Sequence, residues 1–549
     1  MGGFLSHLKP EQNSEVLTAT CGPVRGNIYK HKNDVIVDGF LGIPYAKPPV
    51  NELRFKKPIP ADKWTEPRNC YEYGPACVQT GGFEGLAGPR QKTPEEAGCL
   101  TLNVFTPRGQ PAEFKSGRPV MVFIHGGGYE LCGSCDYCDY SLSGTLPLKD
   151  VIVVTVNYRL GVFGFLTTGD DSCRGNMGLW DQTLALRWVQ KHISSFGGDP
   201  HCVTVFGQSA GASSTDLLSL SPHSRDLFKR FIPISGSAHC DFALRTSENQ
   251  AKIFREFAEF HGFTGGDSED LFNWYQTQPA ETLSNVLNFK KSMSGFLTFI
   301  PNFDGDFFPK PLDELRKEAP KKQIMTGVTE YEGLMMAMIN PTLSPADNGI
   351  KLLAKESYGK DVVRNPEEIQ RMFYENYTKE VDTSDEFAMK KKLIEAVGDE
   401  YFNFGVLQAA KSAAKYGNDV YLYTFNYTNS DGFGMWNDML PFKAALHGTE
   451  LRYILGEGVY SKFNPNEEDL KVLEKMTTLF SNFAKYGNPN GKDSNDWEKY
   501  SLDSPERHYH IAYPCSEMRD VFHEGRIPLL EKLDGESEKY QELMYGKKK

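Results

Sequence analysis

Short apolar runs alternate along this chain with longer stretches whose apolar residues recur every three or four positions. Residues 120–124, 151–157, 203–206, 230–235, 324–328 and 420–425 have strand length and are rich in β-branched or aromatic residues. Between the second and third of them, residues 179–193 carry Trp180, Leu184 and Trp188 at i, i+4 and i+8. That spacing predicts a helix with one apolar stripe. Strands alternating with helices predict an α/β fold, a mostly parallel sheet flanked by helices on both faces. Reactive residues then belong at the carboxyl ends of strands. Residues 237–416 show more helical periodicity and fewer strand signals, as expected of a large insertion forming part of a pocket wall.

No internal repeat or low-complexity linker divides the chain. One domain over residues 19–535 is expected, with a flexible segment before it (1–18) and a charged tail after it (536–549). The 549 residues hold 60 Lys and Arg against 72 Asp and Glu, a net charge of −12. Such a balance argues against nucleic acid, which requires a basic face. No apolar run reaches the roughly 18 residues that span a bilayer.

The chain opens Met-Gly-Gly-Phe-Leu-Ser, with no apolar segment of signal-peptide length after it, so a cytoplasmic location is expected. Gly2 followed by Ser6 fits the N-myristoylation pattern and equally suits an unmodified terminus. One acyl chain would hold a membrane only weakly and reversibly. Lys9 is the segment's fixed cation, and the nearest thiol is Cys21. In that compartment most of the eleven cysteines should be reduced. Cys132, Cys135 and Cys138 form C-x2-C-x2-C, but no fourth Cys or His lies at a suitable local spacing. They read as an unligated loop rather than a zinc site.

The strongest chemical signal is Gly207-Gln208-Ser209-Ala210-Gly211, preceded by the apolar run Val203-Thr-Val-Phe206 and followed by a helix-compatible stretch. Gly-x-Ser-x-Gly between strand and helix is the setting of a nucleophile elbow. The sharp turn lifts the Ser209 hydroxyl above the sheet, and the glycines let strand and helix approach. The second signal is His125-Gly126-Gly127-Gly128, after the strand at 120–124. Glycines there let backbone N–H groups approach an oxyanion. Gly127, Gly128 and Ala210 are the expected donors, and His125 is expected to fix the loop.

With these motifs in place the chain resembles the type-B carboxylesterases of the carboxylesterase/cholinesterase family, within the α/β-hydrolases. The likeness runs through Phe40-Leu-Gly-Ile-Pro-Tyr-Ala-Lys-Pro-Pro, Leu102-Asn-Val-Phe-Thr-Pro, Asn157-Tyr-Arg-Leu-Gly, Phe196-Gly-Gly-Asp-Pro, Asp304-Gly-Asp-Phe-Phe-Pro and Asn482-Phe-Ala-Lys-Tyr-Gly-Asn-Pro-Asn. It implies an α/β-hydrolase fold with helical insertions around the pocket. It also implies a triad of Ser209, an acid at Glu332 rather than Glu330, and a base at His447, in the chain order of that fold. Neither metal nor organic cofactor is implied. A Cys77–Cys99 bridge is implied too, against the reducing compartment expected from the N-terminus.

The chain also departs from the family. Gln208 stands where cholinesterases carry Glu, and residues 77–99 contain no Trp, the residue that holds a quaternary ammonium there in cholinesterases. Choline esters are therefore not expected as the main substrate. Glu96-Ala-Gly replaces the usual Ser-Glu-Asp before Cys99, leaving Glu95 or Glu96 as partners for Arg54. The expected activity is hydrolysis of small, uncharged, fairly apolar carboxylic esters through an acyl-enzyme. The same residues would serve acyl transfer to another acceptor. A catalytically dead adhesion protein, which some relatives are, fits poorly with an intact triad and no membrane span.

Overall fold

Apolar runs without polar interruption suit strands buried on both faces. The computed structural model, which describes residues 12–79, 98–286, 289, 297–359, 362–492, 494–535 and 537–546, places them so. In chain order the strands of the main sheet are β1 (Gln12–Asn13), β2 (Asn27–Lys30), β3 (Ile36–Pro44), β4 (Thr101–Pro107), β5 (Arg118–Ile124), β6 (Ile152–Val156), β7 (Gly198–Gln208), β8 (Arg230–Ile234), β9 (Gln323–Thr329), β10 (Asp419–Asn426), β11 (His508–Ala512) and β12 (Glu517–Arg519). Their spatial order is β1-β2-β3-β4-β6-β5-β7-β8-β9-β10-β11-β12. From β6 to β11 neighbours are parallel, and the strands outside that block pair antiparallel. This is the α/β-hydrolase architecture expected from the sequence.

Alternate residues of each strand feed opposite faces. Val120, Val122, Ile124, Val203 and Val205 join one buried cluster, while Met121, Phe123, Val153 and Phe206 join the other. The predicted helix is α1 (Met177–His192). Its burial exceeds one stripe: Trp180 and Trp188 are buried, but so are Asp181, Gln182 and Thr183, while Leu184 is only half-buried. The helix is covered on both sides, with the Gln182 amide donating to Ser214 Oγ of α2 (Ala210–Leu220) at 3.2 Å.

A buried ion pair ties α1 to the loop after β6. The Arg159 guanidinium donates to both Asp181 oxygens at 2.7 Å, and Arg159 N–H donates to the same carboxylate at 3.0 Å. Burial pushes the Asp181 carboxyl up, and Arg159 opposes it with the smaller effect. Asp181→Asn leaves a buried guanidinium without its counter-charge. It is expected to lose about 3–5 kcal/mol of stability in guanidinium unfolding, part of it recovered by adding Arg159→Met.

The ends of the chain depart from expectation. Gln12–Asn13 pairs with Asn27 and Ile28, and Leu17–Ala19 pairs with Gly22–Arg25, so residues 12–13 and 17–18 of the segment expected to be flexible lie in strands. Unmet strand edges are filled by whatever segment can supply N–H and C=O groups. The charged tail contains a helix, Glu538–Tyr545, that buries Met544 and sets the Tyr540 hydroxyl against His239 Nδ1 at 3.1 Å. Tyr540, Leu543 and Met544 share one helical face, which charge counting conceals. Gly2, Ser6 and Lys9 lie outside the described residues, as do Glu95, Glu96 and 547–549. No helix among the described residues is long and apolar enough to cross a membrane.

Candidate active site

The end of β7 carries the candidate nucleophile. Ser209 adopts φ 60° and ψ −126°, a strained conformation for a residue with a side chain. α2 starts at the next residue. The turn is locked from several sides: Ser209 N–H donates to Ile234 O at 2.9 Å, and Ser209 O accepts from Ala212 and Ser213 N–H at 2.8 and 3.0 Å. Gly211 has to be glycine, because a Cβ there would lie 2.1 Å from Ile124 O. Helix α2 directs its first N–H groups at the elbow.

The glycine loop after β5 packs on the same turn. A Cβ on Gly126 would lie 3.1 Å from Ser209 Cβ. Gly127 has φ 102°, and its carbonyl accepts from Glu130 and Leu131 N–H at 3.1 and 2.9 Å. This tight turn leaves the N–H groups of Gly127 and Gly128, like that of Ala210, without a hydrogen-bond acceptor among the described residues. His125 stacks on Tyr158, ring centroids 4.4 Å apart, and its carbonyl accepts the Tyr158 hydroxyl at 2.8 Å. Both contacts hold the loop.

Glu332 follows β9 and is fully buried. Its Oε1 accepts from Thr329 N–H and Ser235 Oγ, each at 2.6 Å, and its Oε2 meets His447 Nδ1 at 2.6 Å. Glu330, the carboxylate set aside in the sequence, makes no contact with His447 among the described residues. Phe402 packs against the other side of the imidazole, ring centroids 4.3 Å apart. It projects from a π-turn (Asp399–Asn403) between α3 (Glu386–Gly398) and α4 (Phe404–Lys415). The Tyr460 hydroxyl donates to His447 O at 2.5 Å.

The structure thus pairs Glu332 with His447 and sets the glycine loop against Ser209. It does not place the Ser209 hydroxyl in a hydrogen bond to His447. Nε2 of that ring instead meets the Gln208 side-chain nitrogen at 3.1 Å. Sequence reasoning also missed Ser235 and Glu450. The Ser235 hydroxyl lies 3.1 Å from Glu450 Oε1 as well as against Glu332. Burial, and then the Glu332 charge, push the Glu450 carboxyl well up, so it holds its proton near neutrality. The signals were present: Ser235 follows the strand beside the nucleophile, and Glu450 stands three residues after His447.

Cys77 and Cys99 are joined by a disulfide, with Cα atoms 4.9 Å apart. Burial pushes the thiols of Cys21, Cys70, Cys173 and Cys240 up to about 11, 12, 12 and 12, which keeps them protonated. Arg54 donates to the carbonyls of Gln276 and Gln278 at 3.3 and 2.7 Å and lies over the Phe163 ring. Among the described residues no group of three or more His, Cys, Asp or Glu could hold a metal ion.

A hydroxyl raised on a strand-to-helix turn, beside a buried carboxylate–imidazole pair and amide hydrogens with no acceptor among the described residues, belongs with the hydrolases that cleave acyl groups. A sequence profile of the carboxylesterase family matches residues 13–528, and the chain belongs to that family. It is 77% identical over 551 residues to esterase cest-33 of Caenorhabditis elegans, covering all of this chain and 99% of that protein. It is 33% identical over 489 residues to carboxylesterase 1E of Mus musculus, covering 84% of each chain. With cholinesterase of Mus musculus it shares 32% over 499 residues, 87% of this chain and 80% of that one. The protein is a carboxylesterase.

Proposed function

We propose that the protein hydrolyses uncharged, fairly apolar esters through an acyl-enzyme on Ser209. The observation that carries this reading is the strained Ser209 turn beside the Glu332–His447 pair. A hydroxyl is a weak nucleophile until a base takes its proton, and His447, backed by Glu332, is the base assigned to that role. The hydroxyl oxygen attacks the ester carbonyl carbon, and the proton passes to His447 Nε2. Glu332 keeps Nδ1 protonated and stabilises the imidazolium. The N–H groups of Gly127, Gly128 and Ala210 receive the oxyanion. His447 returns the proton to the leaving alcohol as the C–O bond breaks. Water then repeats the sequence to release the acid and regenerate Ser209.

The apolar preference rests on what surrounds the base. Leu334, Met335, Phe433, Leu440, Ala444 and Leu446 form a buried cluster on the His447 side. A helix of the sequence Gly-Leu-Met-Met-Ala-Met-Ile (Gly333–Ile339), without a polar side chain, follows Glu332 directly. Leu297 packs against Gly128, its Cδ2 lying 2.9 Å from an added Cβ. No Trp in residues 77–99 is available for a quaternary ammonium. In a panel of nitrophenyl esters, kcat/KM is expected to rise from acetate towards longer acyl chains. Choline esters should fall at least about tenfold below neutral esters of the same acid, the worth of a missing cation–π contact. Choline esters turned over as fast as neutral ones would refute the preference.

A further inference from the structure

His447 Nδ1 faces Glu332 Oε2 at 2.6 Å. An ionised carboxylate only accepts, so Nδ1 carries the ring proton and Nε2 is left with a lone pair. The side-chain nitrogen of Gln208 lies 3.1 Å from that lone pair. An amide has a donor end and an acceptor end, and only the NH2 end complements an unprotonated nitrogen. We infer that Gln208 is a positioning residue for the base, its NH2 group held on His447 Nε2 so that the imidazole waits neutral and correctly turned for Ser209. This assignment rests on His447 serving as the base.

The contact is built into the fold. Gln208 is the last residue of β7, paired with Ile234 of β8, and is only 6% exposed. Its side chain runs between Gly126 and Gly448. A Cβ on Gly126 would lie 3.0 Å from Gln208 Oε1, and one on Gly448 would lie 3.4 Å from Gln208 Nε2. One side chain thus touches the glycine loop, the base and the residue after the base. Among the described residues the Ser209 hydroxyl makes no hydrogen bond, so the amide stands where that hydroxyl has to donate. As the ester binds, Ser209 O–H exchanges with the Gln208 N–H on the same lone pair.

A carboxylate in place of this amide could not donate to the lone pair. It would accept only from a protonated ring, and so would favour the form that cannot act as base. Among the described residues the ionisable groups around His447 include Glu332, Glu450 behind Ser235 and Tyr460 on the His447 carbonyl, with Tyr423 and Cys240 near enough to sense the Glu332 charge; the Phe402 ring adds no charge. They are common to the wild type and the variants, so a difference between them reports position 208.

The test is kcat/KM for a neutral nitrophenyl ester across about pH 5–9, using the full chain as wild type, Gln208→Glu and Gln208→Leu. The acidic limb is expected to move to higher pH in both variants, by about half a unit or more in Gln208→Leu and about one unit or more in Gln208→Glu. At pH 6 the Glu variant should then be about tenfold slower, with activity regained at alkaline pH. A merely structural role lowers activity at every pH and leaves the limb in place. An acidic limb in Gln208→Glu that coincides with the wild type, or lies below it, overturns the inference; this near-isosteric variant decides even if Gln208→Leu fails to fold. Ser209→Ala measured alongside separates the two readings. An inactive Ser209→Ala with an unmoved limb refutes the role of Gln208 alone, whereas a fully active Ser209→Ala refutes the triad and the role of Gln208 with it.

Discussion

Ser209→Ala is expected to lower kcat for neutral nitrophenyl esters by at least about 10³-fold, with the residual rate coming from binding and the amide donors alone. The loss follows from removing the one atom that forms the acyl bond. The fold should survive, because the turn is held by backbone hydrogen bonds. Ser209 N–H to Ile234 O and Ser209 O to Ala212 and Ser213 N–H do not involve the hydroxyl. Alanine at φ 60° is no more strained than serine there. Circular dichroism and unfolding midpoints close to those of the wild type should accompany the loss.

Glu332→Gln is expected to lower kcat by about 10²–10⁴-fold, and the reason lies in its hydrogen bonds. Oε1 accepts from both Thr329 N–H and Ser235 Oγ, while Oε2 faces His447 Nδ1. A Gln that keeps its oxygen on Thr329 turns its NH2 group towards Nδ1. The ring proton is then driven to Nε2, which can no longer take the Ser209 proton. The opposite orientation sets NH2 against Thr329 N–H, donor against donor in a buried site. Neither orientation preserves the base and the buried network together. Steady-state kcat at the pH optimum reads the effect, and Glu330→Gln measured in parallel should change it less than about threefold, since among the described residues no hydrogen bond to the site depends on the Glu330 side chain.

The central strands and the elbow were legible because each is written locally. β5, β6 and the Val203–Gln208 part of β7 are buried on both faces and rich in β-branched or aromatic residues, and the Ser209 turn needs glycines at fixed offsets. Choosing Glu332 over Glu330 came from family likeness, since two carboxylates two residues apart look alike until one meets His447. What the sequence concealed depends on contacts between distant parts of the chain. Ser235 and Glu450 are 215 residues apart, and His239 and Tyr540 are 301 apart. The Gln208–His447 contact spans 239 residues. Gln208 reads in the sequence as a missing negative charge; in the fold it is a hydrogen-bond donor facing the base. The helix at Glu538–Tyr545 was hidden by its charges, because its burial is set by the His239 loop it packs on.

The proposed chemistry requires that Ser209 is the group that becomes acylated. A fluorophosphonate probe, followed by proteolysis and mass spectrometry of the labelled peptides, tests this directly. A single adduct on Ser209, formed by the wild type and lost in Ser209→Ala, is the predicted result. Label carried by another residue, or an active enzyme that takes up none, would contradict it.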